Sequence, residues 1–259
     1  MGRTADGVND APAMKQADIG VAMNSGTDVT KQAAEVILMD DNFATIVSTV
    51  EEGRVIYQNI RRFIRYLLTG NLGEVLSMLF SMLFRLPMAL IPIQILMVNL
   101  LTDGLPAIAL GLEPPDEEIL RQPPRPKEES IFAGGLSRII LLRGVLLGVS
   151  TAGVYYAEWL LSGDLPVARS AAFITLVLAQ MVHIYECRGG RLHFGGNPAL
   201  LLATGLSVLI TLLSVYLPFA QPIFHTVPVC GIYLLPVAVG ILIGPILAGS
   251  LRLLGRRTV

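Results

Sequence analysis

Polar and apolar positions divide this chain unevenly. Over roughly the first 55 residues they are mixed, with short runs that read as small elements. A helical stretch leads from Met14 into the strand-like run 19–23, and Ser25-Gly26-Thr27-Asp28 offers turn and N-cap chemistry. A helix is expected over 33–38. A second begins near Asp41 and Asn42, carries Ile46, Val50 and Ile56 on its apolar positions, and continues as a stalk toward the first long apolar run. Beyond it the pattern changes. Six apolar stretches, at 64–84, 89–111, 137–161, 169–187, 198–218 and 229–252, each approach the ~20 residues that span a bilayer. Pro87 and Pro92 bracket the first return. Gly195-Gly196-Asn197-Pro198 and the stretch 218–228 are the other breaks. Between the second and third stretches lies a charged loop, 112–135, stiffened by Pro114, Pro115, Pro123, Pro124 and Pro126 into a fixed connector. The expected division is 1–55 as a small polar domain with its stalk, 56–254 as a six-helix membrane domain, and 255–259 as a tail.

Composition agrees. Of 259 residues, 53% are hydrophobic and 15% charged, and the mean hydropathy is +0.63. Such values oppose a soluble all-helical bundle, and a net charge of -1 opposes a nucleic-acid surface. The start of the chain has no apolar core and does not read as a signal peptide. Of the 19 Lys and Arg residues, only Arg85 and Arg169 fall on the far side of the layout, so both termini and the Pro-rich loop are expected in the cytoplasm. Cys187 and Cys230 fit no metal spacing and read as small packing residues.

Two carboxylates interrupt the apolar runs. Glu74 lies three residues after Asn71. Asp103 follows Thr102 directly and lies four residues after Asn99. An acid at the bilayer centre costs about 2.5–3.5 kcal/mol. Spacings of three and four place these groups on one helix face. Oxygen-bearing side chains facing each other across two helices make a cage for a hard cation such as Ca²⁺, and Mg²⁺ fits less well because it dehydrates reluctantly. Gly104 and Pro106 are expected to unwind the helix beside Asp103. Gln180 offers a further carbonyl oxygen, either as a ligand or as interhelical glue. Glu158 and Trp159 read as an interfacial anchor, His183 and Glu186 as a surface pair, His193 and His225 as loop residues, and Arg252, Arg256 and Arg257 as a basic stop. Near the start, Asp6 and Asp10 on a glycine turn can hold Mg²⁺, although an Asp-Gly turn with Asn9 capping the next helix fits the same residues.

The run Thr4-Ala5-Asp6-Gly7-Val8-Asn9-Asp10-Ala11-Pro12-Ala13 closely resembles the hinge motif of P-type ATPases. The resemblance continues through Asp40-Asp41-Asn42-Phe43, Glu51-Glu52-Gly53-Arg54, Asn71-Leu72-Gly73-Glu74, Val98-Asn99-Leu100-Leu101-Thr102-Asp103-Gly104-Leu105-Pro106 and Pro123-Pro124-Arg125. It is strongest over residues 1 to about 130, and its nearest branch is the calcium pumps in a bacterial form. It implies a mainly α protein, in which a truncated α/β, haloacid-dehalogenase-like phosphorylation-domain remnant precedes six transmembrane helices. It further implies Asp6 as the Mg²⁺ ligand, with Asn9 and Asp10 as its orienting neighbours, and Asn71, Glu74, Asn99, Thr102 and Asp103 as calcium ligands. Gln180 stands where two-site pumps have Glu, which favours one calcium site. Ala5 replaces a family Gly. Neither the Asp-Lys-Thr-Gly-Thr nor the Thr-Gly-Glu motif of the family occurs, so ATP hydrolysis is expected only from an intact pump that includes the missing N-terminal half. The alternatives are a pump for Na⁺, K⁺ or H⁺, a non-enzymatic cation-binding membrane protein, and, more weakly, a free phosphatase head. The implied surroundings are the lipid bilayer of a bacterial cell membrane, a transported cation and no nucleic acid.

Overall fold

The computed structural model describes residues 2–116, 118–126, 128–189 and 195–255. The expectations for Arg191, His193, Arg256 and Arg257, and for the Arg252 side chain, lie outside the described residues. The chain forms two compact units, one of residues 1–56 with 115–123, the other of residues 57–114 with 124–259.

The first unit is α/β. Strands β1 (Gly2–Ala5), β2 (Ile19–Met23) and β3 (Val36–Leu38) form a parallel sheet in that order, with Gly2 opposite Ile19 and Val21 opposite Val36. Parallel neighbours need crossovers. Helices α1 (Ala11–Gln16) and α2 (Asp28–Ala33) supply them and bury Met14 and Thr30, while the sheet buries Ala22 and Leu38. Thr27 caps α2 by accepting from the Thr30 amide at 3.4 Å. The helix expected over 33–38 does not form. Ala34 is extended, Glu35 accepts from the Gly20 amide, and Val36, Ile37 and Leu38 pair with β2. β-branched residues at the sheet edge outweigh the helix propensity of the two alanines before them. The charged segment 115–123 carries a short helical turn, Ile119–Arg121, and is tied down because Arg54 donates to the carbonyls of Ile119 and Gln122 at 2.7 and 2.8 Å.

Helix α3 (Phe43–Leu83) starts in the first unit and continues into the second. The second unit is helical. It holds α4 (Pro92–Met97), a widened turn at Val98–Thr102, α5 (Gly104–Leu110), α6 (Leu136–Ser162), α7 (Leu165–Cys187), α8 (Pro198–Tyr216), the short α9 (Gln221–Phe224) and α10 (Leu234–Gly255). Among the described residues, five segments are long and apolar enough to cross a membrane: Phe43–Leu83, Pro92–Leu110, Leu136–Ser162, Leu165–Cys187 and Pro198–Tyr216. In the sixth expected stretch the described apolar run, Gly231–Leu247, is shorter. Helix α7 is buried around most of its girth and packs against α6, α8 and α10.

Helices α3 and α6 approach through glycine. A Cβ on Gly73 would meet the Leu147 side chain at 2.5 Å, one on Gly144 would meet Leu72 at 2.6 Å, and one on Gly148 would meet Leu76 at 2.6 Å. Small residues at such crossings let helices pack closely in a medium that offers no hydrophobic drive. Several buried hydroxyls are satisfied locally: Thr175, Thr204 and Thr211 donate to the carbonyl four residues back.

Candidate functional site

The site grows out of a break in helix geometry. Asp103 donates its amide to the Val98 carbonyl at 2.8 Å, a five-residue step where an α-helix takes four. This π-type turn spans Val98–Thr102, immediately before Asp103. The expected unwinding at Gly104 and Pro106 is corrected accordingly: both lie within regular α5, and the irregular turn precedes the acid. Proline is tolerated near a helix start, where its missing amide has no partner to lose.

The turn brings Asp103 against the middle of α3. Asp103 is 1% exposed and Glu74 3% exposed, close enough for the Glu74 charge to act on Asp103. Asn99 donates through Nδ2 to Glu74 Oε2 at 2.9 Å, and Gln180, fully buried on α7, donates through Nε2 to Glu74 Oε1 at 3.3 Å. Thr102 is fully buried, its hydroxyl on the Val98 carbonyl at 3.1 Å. Ser207 on α8 donates to the Thr102 carbonyl at 3.1 Å and so anchors the turn. The structure therefore brings Glu74, Asn99, Asp103 and Gln180 together, with Thr102 buried directly before Asp103 and its hydroxyl turned to its own helix. Asn71 is exposed and lies outside this hydrogen-bonded group.

Two members of the site carry no sequence signal. Tyr66, 1% exposed, donates its hydroxyl to Asp103 Oδ1 at 2.8 Å. Gly70 sits between Asp103 and Gln180. A Cβ there would lie 2.8 Å from Gln180 Nε2 and 3.2 Å from Asp103 Oδ2. The donor count leaves two oxygens over, because Asp103 Oδ2 and Gln180 Oε1 are buried without a hydrogen-bond partner. Orphaned buried oxygens beside two carboxylates suit a cation that accepts oxygen ligands, and they suit nothing that itself accepts hydrogen bonds.

Elsewhere several expectations change. His183 and Glu186 are buried, not a surface pair: His183 Nδ1 lies 3.1 Å from Glu186 Oε2, and Arg143 pairs with the same carboxylate. Glu158 is fully buried with both carboxylate oxygens unpartnered, so it is no exposed anchor; Trp159 is 37% exposed and sits with Tyr156 and Phe84 in an aromatic cluster. Cys187 is buried as expected, but Cys230 is exposed. In the first unit Asp6 and Asn9 are exposed, while Asp10 accepts from the Gly7 amide at 3.3 Å and leaves Asn9 no capping role. Ala5 ends β1 without a positive φ, so its methyl group strains nothing there. Gly26 is the residue that must be small, since its Cβ would lie 3.2 Å from both the Cα and the carbonyl of Asp6.

The family described as "Cation transporting ATPase, C-terminus" matches residues 87–254. The chain belongs to this family. It is 49% identical over 255 residues to the calcium-transporting ATPase of Bacillus subtilis (strain 168), an alignment covering 96% of this chain and 29% of that protein. The probable calcium-transporting ATPase of Trypanosoma brucei brucei is 41% identical, covering 87% of this chain and 25% of its own length. Calcium-transporting ATPase 1 of Lactococcus lactis subsp. lactis (strain IL1403) is 42% identical, covering 85% and 25%. The chain thus spans less than a third of the length of these relatives. Family membership and the apolar helices together make it a multi-pass membrane protein.

Proposed function

We propose that Glu74, Asn99, Thr102, Asp103 and Gln180 form the transport site for one Ca²⁺ within an ATP-driven P-type pump. The observation that carries this reading is the buried carboxylate pair with its two orphaned oxygens, Asp103 Oδ2 and Gln180 Oε1. Two acids in hydrocarbon are costly unless a cation balances them. The amides of Asn99 and Gln180 direct their NH₂ groups at Glu74 and so stand in for positive charge. A half-turn of each amide presents an oxygen instead, turning donors into ligands as the ion enters. The shell of neutral and acidic oxygens approaches the 6–8 that calcium takes. Asn71, exposed in this chain, is the sixth side chain of the proposed shell.

The first unit is the C-terminal part of a haloacid-dehalogenase-like phosphorylation domain. Asp6 would hold Mg²⁺ there, with Asn9 and Asp10 orienting the turn; that ion would supply neutralisation of phosphoryl charge. Helix α3 is the stalk that runs from this domain to Glu74. Residues 56–254 form six spans, α10 being the last, in a bacterial cell membrane with both termini in the cytoplasm. ATP turnover belongs to the intact pump, and the 259-residue chain alone hydrolyses none.

Equilibrium calcium binding to the detergent-solubilised chain tests the reading. Wild type should bind calcium in preference to Na⁺, K⁺ and Mg²⁺, and Glu74→Gln and Asp103→Asn should each weaken binding at least about tenfold. Unchanged binding in both variants would sink it.

A further inference from the structure

The helices that meet at the carboxylate site are tied together a second time near one end of the helical unit. Glu113, just beyond the end of α5, accepts through Oε1 from Arg188 Nε at 2.7 Å and Nη2 at 2.6 Å. Its Oε2 accepts from Asn197 Nδ2 at 2.9 Å. Arg188 directly follows α7, and Asn197 is the N-cap of α8, its Oδ1 accepting from the Leu200 amide at 2.9 Å. Asn197 Nδ2 also donates to the Ala109 carbonyl on α5 at 2.9 Å. From α3, Asn59 Nδ2 donates to the Gly111 and Glu113 carbonyls at 3.1 and 2.9 Å, while its Oδ1 accepts from Arg62 at 2.9 Å. Asn59, Glu113, Arg188 and Asn197 are all buried.

The two sets of ties use the same four helices at matching intervals. Asn59 and Tyr66 are seven residues apart on α3. Asp103 and Gly111 are eight apart along α5, Gln180 and Arg188 eight apart along α7, and Asn197 and Ser207 ten apart along α8. At 1.5 Å per residue these intervals are roughly 10–15 Å. Helix α5 is regular from Gly104 to Leu110 and fills its interval as a short rod. The π-type turn lies at the other end of that rod, beside Asp103. Where the far end of α5 is held therefore decides where Asp103 stands against α3 and α7. Capping of orphan carbonyls accounts for the Asn59 and Asn197 contacts to the α5 terminus. It does not account for a buried carboxylate–guanidinium pair. Such a pair adds little stability over an apolar filling, and its best-attested use is to fix register.

We propose that Glu113, clamped by Arg188 and Asn197, is a positioning residue for the calcium site. It fixes the axial register of α5 against α7 and α8, and so the place where Asp103 meets Tyr66 and Gln180. This inference rests on the calcium reading of that site. Calcium–oxygen distances span only about 0.3 Å, so a slip of α5 by a fraction of an ångström is enough to spoil the shell. Groups that hold metal ligands from behind are worth about tenfold to a hundredfold in affinity.

Two measurements on the full chain in detergent test this, one with calcium and one without. Calcium titration reads affinity. Fluorine NMR of the fluorotyrosine-labelled chain, with the Tyr66 signal assigned through Tyr66→Phe, reads the Tyr66–Asp103 contact in the absence of the ion. Glu113→Gln keeps the volume but sets an NH₂ group against Arg188 or Asn197, both donors. It should weaken calcium binding about tenfold and shift or split the Tyr66 signal. Arg188→Met with Glu113→Leu should do the same while nearly keeping the unfolding midpoint, which separates register from stability. Thr226→Ala is the control. Thr226 donates to the Ser214 carbonyl at the opposite end of α8, so its loss should lower the midpoint and leave both the affinity and the Tyr66 signal unchanged. A Tyr66 signal that moves in both Glu113 variants of a chain that binds no calcium would retire the calcium reading and leave the positioning of Asp103 standing. Wild-type calcium affinity or an unmoved Tyr66 signal in both Glu113 variants, or equal changes in Thr226→Ala, would overturn the proposal.

Discussion

Gly70→Ala isolates the geometry of the carboxylate site from its charge. The added methyl would lie 2.8 Å from Gln180 Nε2 and 3.2 Å from Asp103 Oδ2, against the 3.4–4 Å of ordinary contact. Gln180 is the end of a flexible side chain and yields first, by roughly half an ångström. Calcium–oxygen distances span only about 0.3 Å, so this displacement removes Gln180 from the shell. Loss of a positioned ligand should weaken calcium binding about tenfold to a hundredfold, or about 1.4–2.8 kcal/mol. Alanine in place of glycine inside a helix contributes up to about 1 kcal/mol in the opposite sense, so the unfolding midpoint should hold or rise. Affinity and stability therefore separate. The assay is calcium titration calorimetry on Gly70→Ala, Gln180→Ala and the double variant. If the methyl acts through Gln180, the double variant should bind no more weakly than Gln180→Ala alone. Wild-type affinity in Gly70→Ala, or full additivity in the double variant, would refute the reasoning.

Other outcomes follow from the packing and the polar ties. Gly148→Leu should cost at least about 1–3 kcal/mol, because its Cβ would lie 2.6 Å from Leu76 and 3.1 Å from the Gly73 carbonyl; thermal unfolding in detergent measures this. Arg188 donates through Nε to Glu113 at 2.7 Å, and Asn197 donates to the other carboxylate oxygen at 2.9 Å, so Arg188→Ala should cost about 3–5 kcal/mol while Arg188→Met with Glu113→Leu costs much less, as denaturant melts would report. Asp40 accepts from the Thr45 hydroxyl and the Asn42 amide, which hold its carboxyl below the ordinary carboxylate range. Its contribution is therefore present at neutral pH and lost as pH falls through that lowered value. NMR titration of Asp40 should give a midpoint below that of a free aspartate, and Thr45→Ala should raise it.

Much of the site is legible because chemistry is conspicuous where the background is apolar. Glu74, Asp103 and the spacing of Asn99 stand out against long hydrophobic runs, and the structure brings those three together. Tyr66 and Gly70 do not stand out, since an aromatic and a glycine inside a span look like packing residues, and their roles appear only once Asp103 is placed beside them. The π-type turn has no residue signature. Two tertiary contacts meet it, the Tyr66 hydroxyl on Asp103 and the Ser207 hydroxyl on the Thr102 carbonyl. Arg143, on α6, meets Glu186, on α7, for the same reason: helix order in space, not spacing in sequence, pairs them. The 33–38 segment ends in strand although local propensity favours helix for its alanines, because pairing with β2 decides the outcome.

The most direct test of the central claim is terbium luminescence in the solubilised chain. Terbium takes calcium's place among oxygen ligands, and Tyr66, hydrogen-bonded to Asp103 at 2.8 Å, is positioned to sensitise its emission. The account predicts sensitised emission that calcium displaces and Asp103→Asn abolishes, with lifetimes in light and heavy water that report about two or fewer bound waters. Lifetimes of a largely hydrated ion, or emission that survives both calcium and Asp103→Asn, would contradict it.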